Sequence, residues 1–186
     1  MIRTFLAAGA LALTAATGFA HAADFTDPQI AHIAYTAGQI DVAAAEQALA
    51  KTQNPDVKAF AELMASDHAA VNEQALALVQ KLNVTPEDNE TSKALVAQAA
   101  EATARLDTLS GAEFDKAYVE NEVAYHKAVN AALRDGLIPA AHDPELKALL
   151  ETGLALAESQ GTRRIYRLNP AGFTQLNIWL DQFWGV

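Results

Sequence analysis

The chain predicts an all-α protein: a four-helix bundle with an extra short helix and a C-terminal aromatic helical tail. Three observations carry that expectation. Alanine is abundant and β-branched runs are few, which favours helix over strand. Long stretches contain neither glycine nor proline. Where prolines occur they punctuate: Asp27-Pro28, Asn54-Pro55, Asp143-Pro144 and Asn169-Pro170 each set a good N-cap residue before proline, whose missing N–H costs nothing at a helix start.

The elements follow in order. Residues 1–22 form a short positive start at Met1-Ile2-Arg3, an uncharged apolar run from Phe5 to Phe19, and a small-x-small site at Ala20-His21-Ala22. This is the pattern of a cleaved secretory leader, and the run is short for the roughly 20 residues that a bilayer requires. The folded part is expected to span 23–170, with a tail at 171–186. Helices are expected at 28–52, 55–82, 91–108, 111–135 and 144–166, then a short one at 171–184. Ser110-x-x-Glu113 reads as a capping box opening the fourth. Gly136 and Pro139 read as its stop, and Asn83 to Asn89 as a polar turn around Pro86. Long helices with short connections pack as an up-and-down bundle, with 91–108 as the supplementary or crossover piece. Phe173, Leu176, Trp179, Leu180, Phe183 and Trp184 recur at helical spacing. They are read as a cap on the core, with an exposed face for a partner or membrane surface as the other reading.

Charge and composition exclude several functions. The formal net charge is −10, and loss of 1–22 removes Arg3 and makes it more negative. Nucleic acid and anionic membrane both call for a basic face and are not expected partners. There is no cysteine, hence no disulfide, lipid-accepting cysteine, thiolate metal site or thiol nucleophile. The expected compartment is the periplasm, with secretion as the alternative. An envelope protein or a small molecule is the kind of partner left open. No nucleophile elbow, catalytic triad signature or glycine-rich phosphate loop is found, so no catalytic residue is assigned.

The informative feature is carboxylate within apolar stripes. In "EFDKAYVENEVAYHKAVNAAL" (113–133), Phe114, Tyr118, Tyr125, Val129 and Leu133 fall on one helical face and Glu122 lies in their middle. His126 is one turn on, at the border. In the second helix Phe60, Met64, Val71, Leu78 and Leu82 form the face, with Asp67 in its middle and His68 at its flank. In the first, Asp41 borders Ile30, Ile33, Ala37, Ile40 and Ala44; in the fifth, Gln160 shares a face with Leu146, Leu149, Leu150, Gly153 and Ala157. A buried lone carboxylate costs several kcal/mol, so such groups must be neutralised, paired or bound to a cation. Three readings follow. The first is a structural polar network, for instance Asp67 bonded to protonated His126 or to the hydroxyl of Tyr118 or Tyr125. The second is a transition-metal site for iron, manganese or zinc from Asp41, Asp67, His68, Glu122 and His126. The third is an acidic-floored pocket for a cationic or hydrogen-bonding small molecule. Neither Glu-x-x-His of a di-iron bundle occurs, so a metal site would be mononuclear or incomplete. His32, opposite Asp41 on its helix, and His142, in the loop before Asp143-Pro144, read as solvent histidines.

"VKAFAELMASDHAAVNEQALALVQKL" (57–82), "LSGAEFDKAYVENEVAYHKAV" (109–129) and "ELKALLETGLALAESQ" (145–160) together resemble the bacterial envelope family called domain of unknown function 4142, often labelled predicted outer membrane protein. The resemblance spans about 27–160. Its most specific pieces are Met64-x-x-Asp67-His68 and Phe114-Asp115-x-x-Tyr118 followed by His126. It implies export and a ferritin-like four-helix bundle, and no established activity. The family usually has Gln at the position of Glu122, His at that of Gln160, and often Glu at that of Asp41, so this chain moves one negative charge in and one imidazole out.

Overall fold

A computed structural model of the chain describes residues 25–159, with side chains to residue 153. The expected leader (1–22), Gln160, the end of the helix expected at 144–166 and the aromatic tail (171–186) lie outside the described residues. The described elements are α1 (Asp27–Lys51), α2 (Pro55–Lys81), α3 (Glu90–Asp107), α4 (Gly111–Ala132), a π-helical turn (Leu133–Leu137), α5 (Ile138–Ala140) and α6 (Pro144–Ser159). No strand occurs among the described residues, and the architecture is an all-α bundle.

The starts are set by local chemistry. Asn54 Oδ1 accepts the Asp56 N–H at 2.9 Å, and Asp143 Oδ1 accepts from Glu145 and Leu146 at 2.8 and 3.0 Å, the bonds that N-cap side chains supply. At α1 the cap shifts by one residue. Thr26 is the N-cap and its N–H donates to Gln29 Oε1 at 3.2 Å. Asp27 is thereby released to accept the N–H groups of His142 and Asp143 at 2.8 and 2.9 Å, joining the start of α1 to the start of α6. Asn89 and Ser92 exchange side-chain to backbone bonds of 3.0 and 3.1 Å at the start of α3. The box expected at Ser110 is not made. Ser110 is the N-cap of α4 but its side chain forms no cap bond, and the next residue, Gly111, has φ +54°, a left-handed conformation that glycine adopts without strain.

Gly136 and Pro139 do not end the helical path. The chain widens into a π turn, in which Ile138 N–H reaches Leu133 O, and continues to Ala140. Pro139 has no N–H and its ring crowds the carbonyl four residues earlier, and the wider turn is a way to pass that point without ending the helix.

The core is two apolar clusters with a polar waist between them. At one end Ala45, Ala48, Val57, Ala61, Met64, Leu106, Phe114, Tyr118 and Val119 pack together. At the other, Ile30, Ile33, Leu133, Leu137, Leu146 and Leu150 do so. These groupings make α2 and α4 run antiparallel to α1. α3 touches both α1 and α4, but its only buried residues are Thr91, Ser92 and Leu106. It lies outside the bundle centre, held at its ends by Asn89 Nδ2 to Gln29 O at 3.3 Å and by Lys51 Nζ to Leu106 and Asp107 carbonyls at 3.1 and 2.8 Å. An ion pair of Lys81 with Glu145 links the end of α2 to α6.

Candidate metal centre

The waist is built from α1, α2 and α4. α1 turns a face of small residues inward: Ala37, Gly38, Asp41, Ala45 and Ala48 are all buried. On α2 the buried line is Val57, Ala61, Met64 and Asn72, which puts the intervening His68 inward as well. This face is rotated from the one centred on Asp67 that the larger apolar residues suggest. Asp67 is half-buried, and it is not among the groups that converge. α4 supplies Tyr118 and Glu122, both buried, and His126 one turn later.

Asp41, His68 and His126 each offer one donor atom, and these atoms lie within 4.8 Å of one another. His68 Nδ1 is 3.4 Å from Asp41 Oδ2, and His126 Nε2 is 4.0 Å from Asp41 Oδ1. The two Nε2 atoms face each other at 3.4 Å. His126 Nδ1 is 2.9 Å from the Glu122 carbonyl oxygen, so Nδ1–H donates there and Nε2 keeps its lone pair. Such a bond from the second nitrogen is what orients metal-bound histidines. Two nitrogens bound to one tetrahedral zinc at ordinary bond lengths stand about 3.4 Å apart, a match to the imidazole pair. Tyr125 donates its hydroxyl to Ala37 O at 3.0 Å, tying α4 to α1 beside Asp41.

Glu122 faces the opposite edge of the His126 ring: its Oε2 is 4.0 Å from Nδ1. Sequence spacing nominated Asp41, Asp67, His68, Glu122 and His126. The fold brings Asp41, His68 and His126 into one cluster and sets Glu122 behind it. Spacing did not single out Asn72, one turn beyond His68, whose Nδ2 is buried without a hydrogen-bond partner. The i, i+4 series Met64, His68, Asn72 was the available signal, hidden because the flanking turns bury alanine rather than larger residues.

Burial dominates the electrostatics of these groups and disfavours the charged form of each. Burial, then the charge of Glu122, holds the Asp41 carboxyl well above the usual range. Burial pushes Glu122 up to about 8, opposed by a bond from Asn121. Burial and the neighbouring His126 lower His68 to about 4, and burial lowers His126 against its bond to Glu122. Asp41 Oδ1, Glu122 Oε2 and the Tyr118 hydroxyl are buried with no hydrogen-bond partner. A buried carboxylate stays ionised only if a cation balances it, and neutral imidazoles are the form that binds metal.

The molecule is thus an all-α bundle with two histidines and a carboxylate gathered in its core. Over residues 12–163 the chain matches the family described as Domain of unknown function (DUF4142), and the protein belongs to that family. No curated protein and no solved structure matches it. No described helix is long and apolar enough to cross a membrane.

Proposed function

We propose that the protein is an exported component of the bacterial envelope that binds one divalent transition metal ion, of the iron, manganese or zinc kind, at Asp41, His68 and His126 in the waist of a ferritin-like bundle. The observation that carries this reading is the convergence of three donor atoms within 4.8 Å on a carboxylate whose Oδ1 is otherwise unpartnered. One hard oxygen and two imidazole nitrogens suit iron, manganese and zinc. The leader-like residues 1–22 support export. In the metal-free protein the same groups would form a structural network, a reading favoured by the Tyr125 and His126 bonds to backbone carbonyls; metal binding would replace its protons.

The test is metal analysis of the protein isolated from the periplasm and dialysed, with melting followed as each metal is added. A stoichiometric ion is expected, together with a rise in melting temperature, since only a ligand that prefers the folded state stabilises it. Asp41→Asn and His126→Ala should each remove the ion and the rise. Absence of retained metal and of any thermal shift would leave the network alone.

A further inference from the structure

Which nitrogen of each imidazole takes the metal follows from where the ring protons can go. A neutral imidazole carries one N–H and one lone pair, and only the lone pair binds metal. On His126 the backbone makes the choice. Nδ1 is 2.9 Å from the Glu122 carbonyl oxygen, which can only accept, so the proton is on Nδ1 and Nε2 is the ligand. His68 has both nitrogens facing the centre. Its Nδ1 is 3.4 Å from Asp41 Oδ2. Its Nε2 is 3.4 Å from His126 Nε2 with the ring centroids 5.5 Å apart, so the two Nε2 atoms lie on the facing edges of the rings. Bound through Nδ1, His68 would keep its proton on Nε2 and point it at a nitrogen whose lone pair the metal already holds. Bound through Nε2, it keeps the proton on Nδ1, opposite a carboxylate oxygen that accepts it. Asp41 has a second oxygen for the metal: Oδ1, 4.0 Å from His126 Nε2, is buried with no hydrogen-bond partner.

We propose that Asp41 serves the centre with both oxygens, Oδ1 binding the metal and Oδ2 accepting Nδ1–H of His68, and so is also the positioning residue that makes Nε2 the ligating atom of His68. This rests on the metal-binding reading and adds to it the atoms used. It is a carboxylate–histidine–metal arrangement, in which the partner of the second nitrogen fixes tautomer and ring orientation. In the metal-free protein the requirement on His68 is the reverse. His126 Nε2 is then an acceptor, and the 3.4 Å approach of the two Nε2 atoms is a hydrogen bond only if His68 carries its proton on Nε2. Metal uptake therefore exchanges the tautomer of His68. The ion displaces the Nε2 proton, and the ring, neutral before and after, holds its one proton on Nδ1 towards Asp41. His126 keeps its tautomer throughout.

Nitrogen-15 NMR of the purified protein, labelled in its histidine rings, reads the atoms involved, because long-range nitrogen–proton correlations separate the two tautomers and a metal-bound nitrogen changes its shift. Zinc is the probe, and the signals missing from metal-free His68→Gln and His126→Gln assign the rings. The expected result is His68 protonated on Nε2 without zinc and on Nδ1 once zinc is retained through dialysis, with His126 protonated on Nδ1 in both states. Zinc on His68 Nδ1, with Nε2 still protonated, overturns this inference alone. A His68 already protonated on Nδ1 without zinc overturns the exchange of tautomer. Failure to retain zinc, with helical content intact, instead overturns the metal-binding reading beneath it.

Discussion

Glu122 shows how burial makes one residue a liability in the metal-free protein. It is 2 % exposed, its Oε2 is unpartnered, and its folded state prefers the proton. Glu122→Gln keeps the shape and removes the ionisable group. In the metal-free protein at pH 8 it should be neutral or stabilising, by about 1–4 kcal/mol, and at pH 5, where the native carboxyl is already neutral, the gain should nearly vanish. Denaturant unfolding at the two pH values checks this; a loss of stability at pH 8 would mean that the charge is compensated. Because Glu122 stands behind His126 and outside the three donors, its amide variant should keep the thermal response to metal that Asp41→Asn loses.

At the scale of elements, the approach of α1 to α2 sets the site. Gly38 lies where a Cβ would stand 2.3 Å from Asn72 Oδ1 and 3.0 Å from its Cγ, and Asn72 is 4 % exposed, with little room to withdraw. One turn from this contact in each helix are Asp41 and His68, so the same close approach brings them to 3.4 Å. In an exposed helix Gly→Ala gains about 1 kcal/mol from propensity. Here overpacking, about 1–3 kcal/mol, should win. Gly38→Ala is expected to destabilise the protein and weaken metal retention, and Asn72→Ala in the same chain should restore most of both. Urea unfolding with a metal titration reads the pair; a Gly38→Ala protein as stable as wild type would show that Asn72 moves aside freely.

For the whole molecule, the waist links protons to stability. The native carboxyl of Glu122, raised from 4.5 to about 8, holds a proton that the unfolded chain releases. Asp41 shifts in the same direction. Their contribution is complete below the unfolded values and is lost as pH rises through the folded ones. His68, lowered from 6.5 to about 4, acts oppositely: its contribution is present above 6.5 and is lost as pH falls towards 4. The two effects oppose each other between about 4.5 and 6.5, and only the carboxyls act above that. The metal-free protein should therefore lose stability between pH 6.5 and 8, by roughly 2 kcal/mol from Glu122 at 1.36 kcal/mol per pH unit, with Asp41 acting in the same direction. Melting curves across that window test it, and a rise instead of a fall would refute the sign. Saturating metal should remove the part of the dependence that Asp41 contributes, since it replaces that proton.

Helix content, the proline-marked starts of α2 and α6 and the inward position of Glu122 were legible in the sequence, because N-capping and the phase of large apolar residues are local properties. Phe114, Tyr118 and Leu133 define the buried side of α4 so clearly that the carboxylate among them stands out. What tertiary structure decided was the rotation of α1 and α2. Their contact includes Gly38, Ala45, Ala48 and Ala61, residues whose small side chains carry little apolar weight in a periodicity but let two helices approach closely. That approach turned Asp41 from the border of its stripe to the centre, His68 from flank to interior, and Asp67 to a half-buried position. Which side chains converge depends on where three separate helices lie against one another, a relation between segments distant in sequence that no local spacing contains.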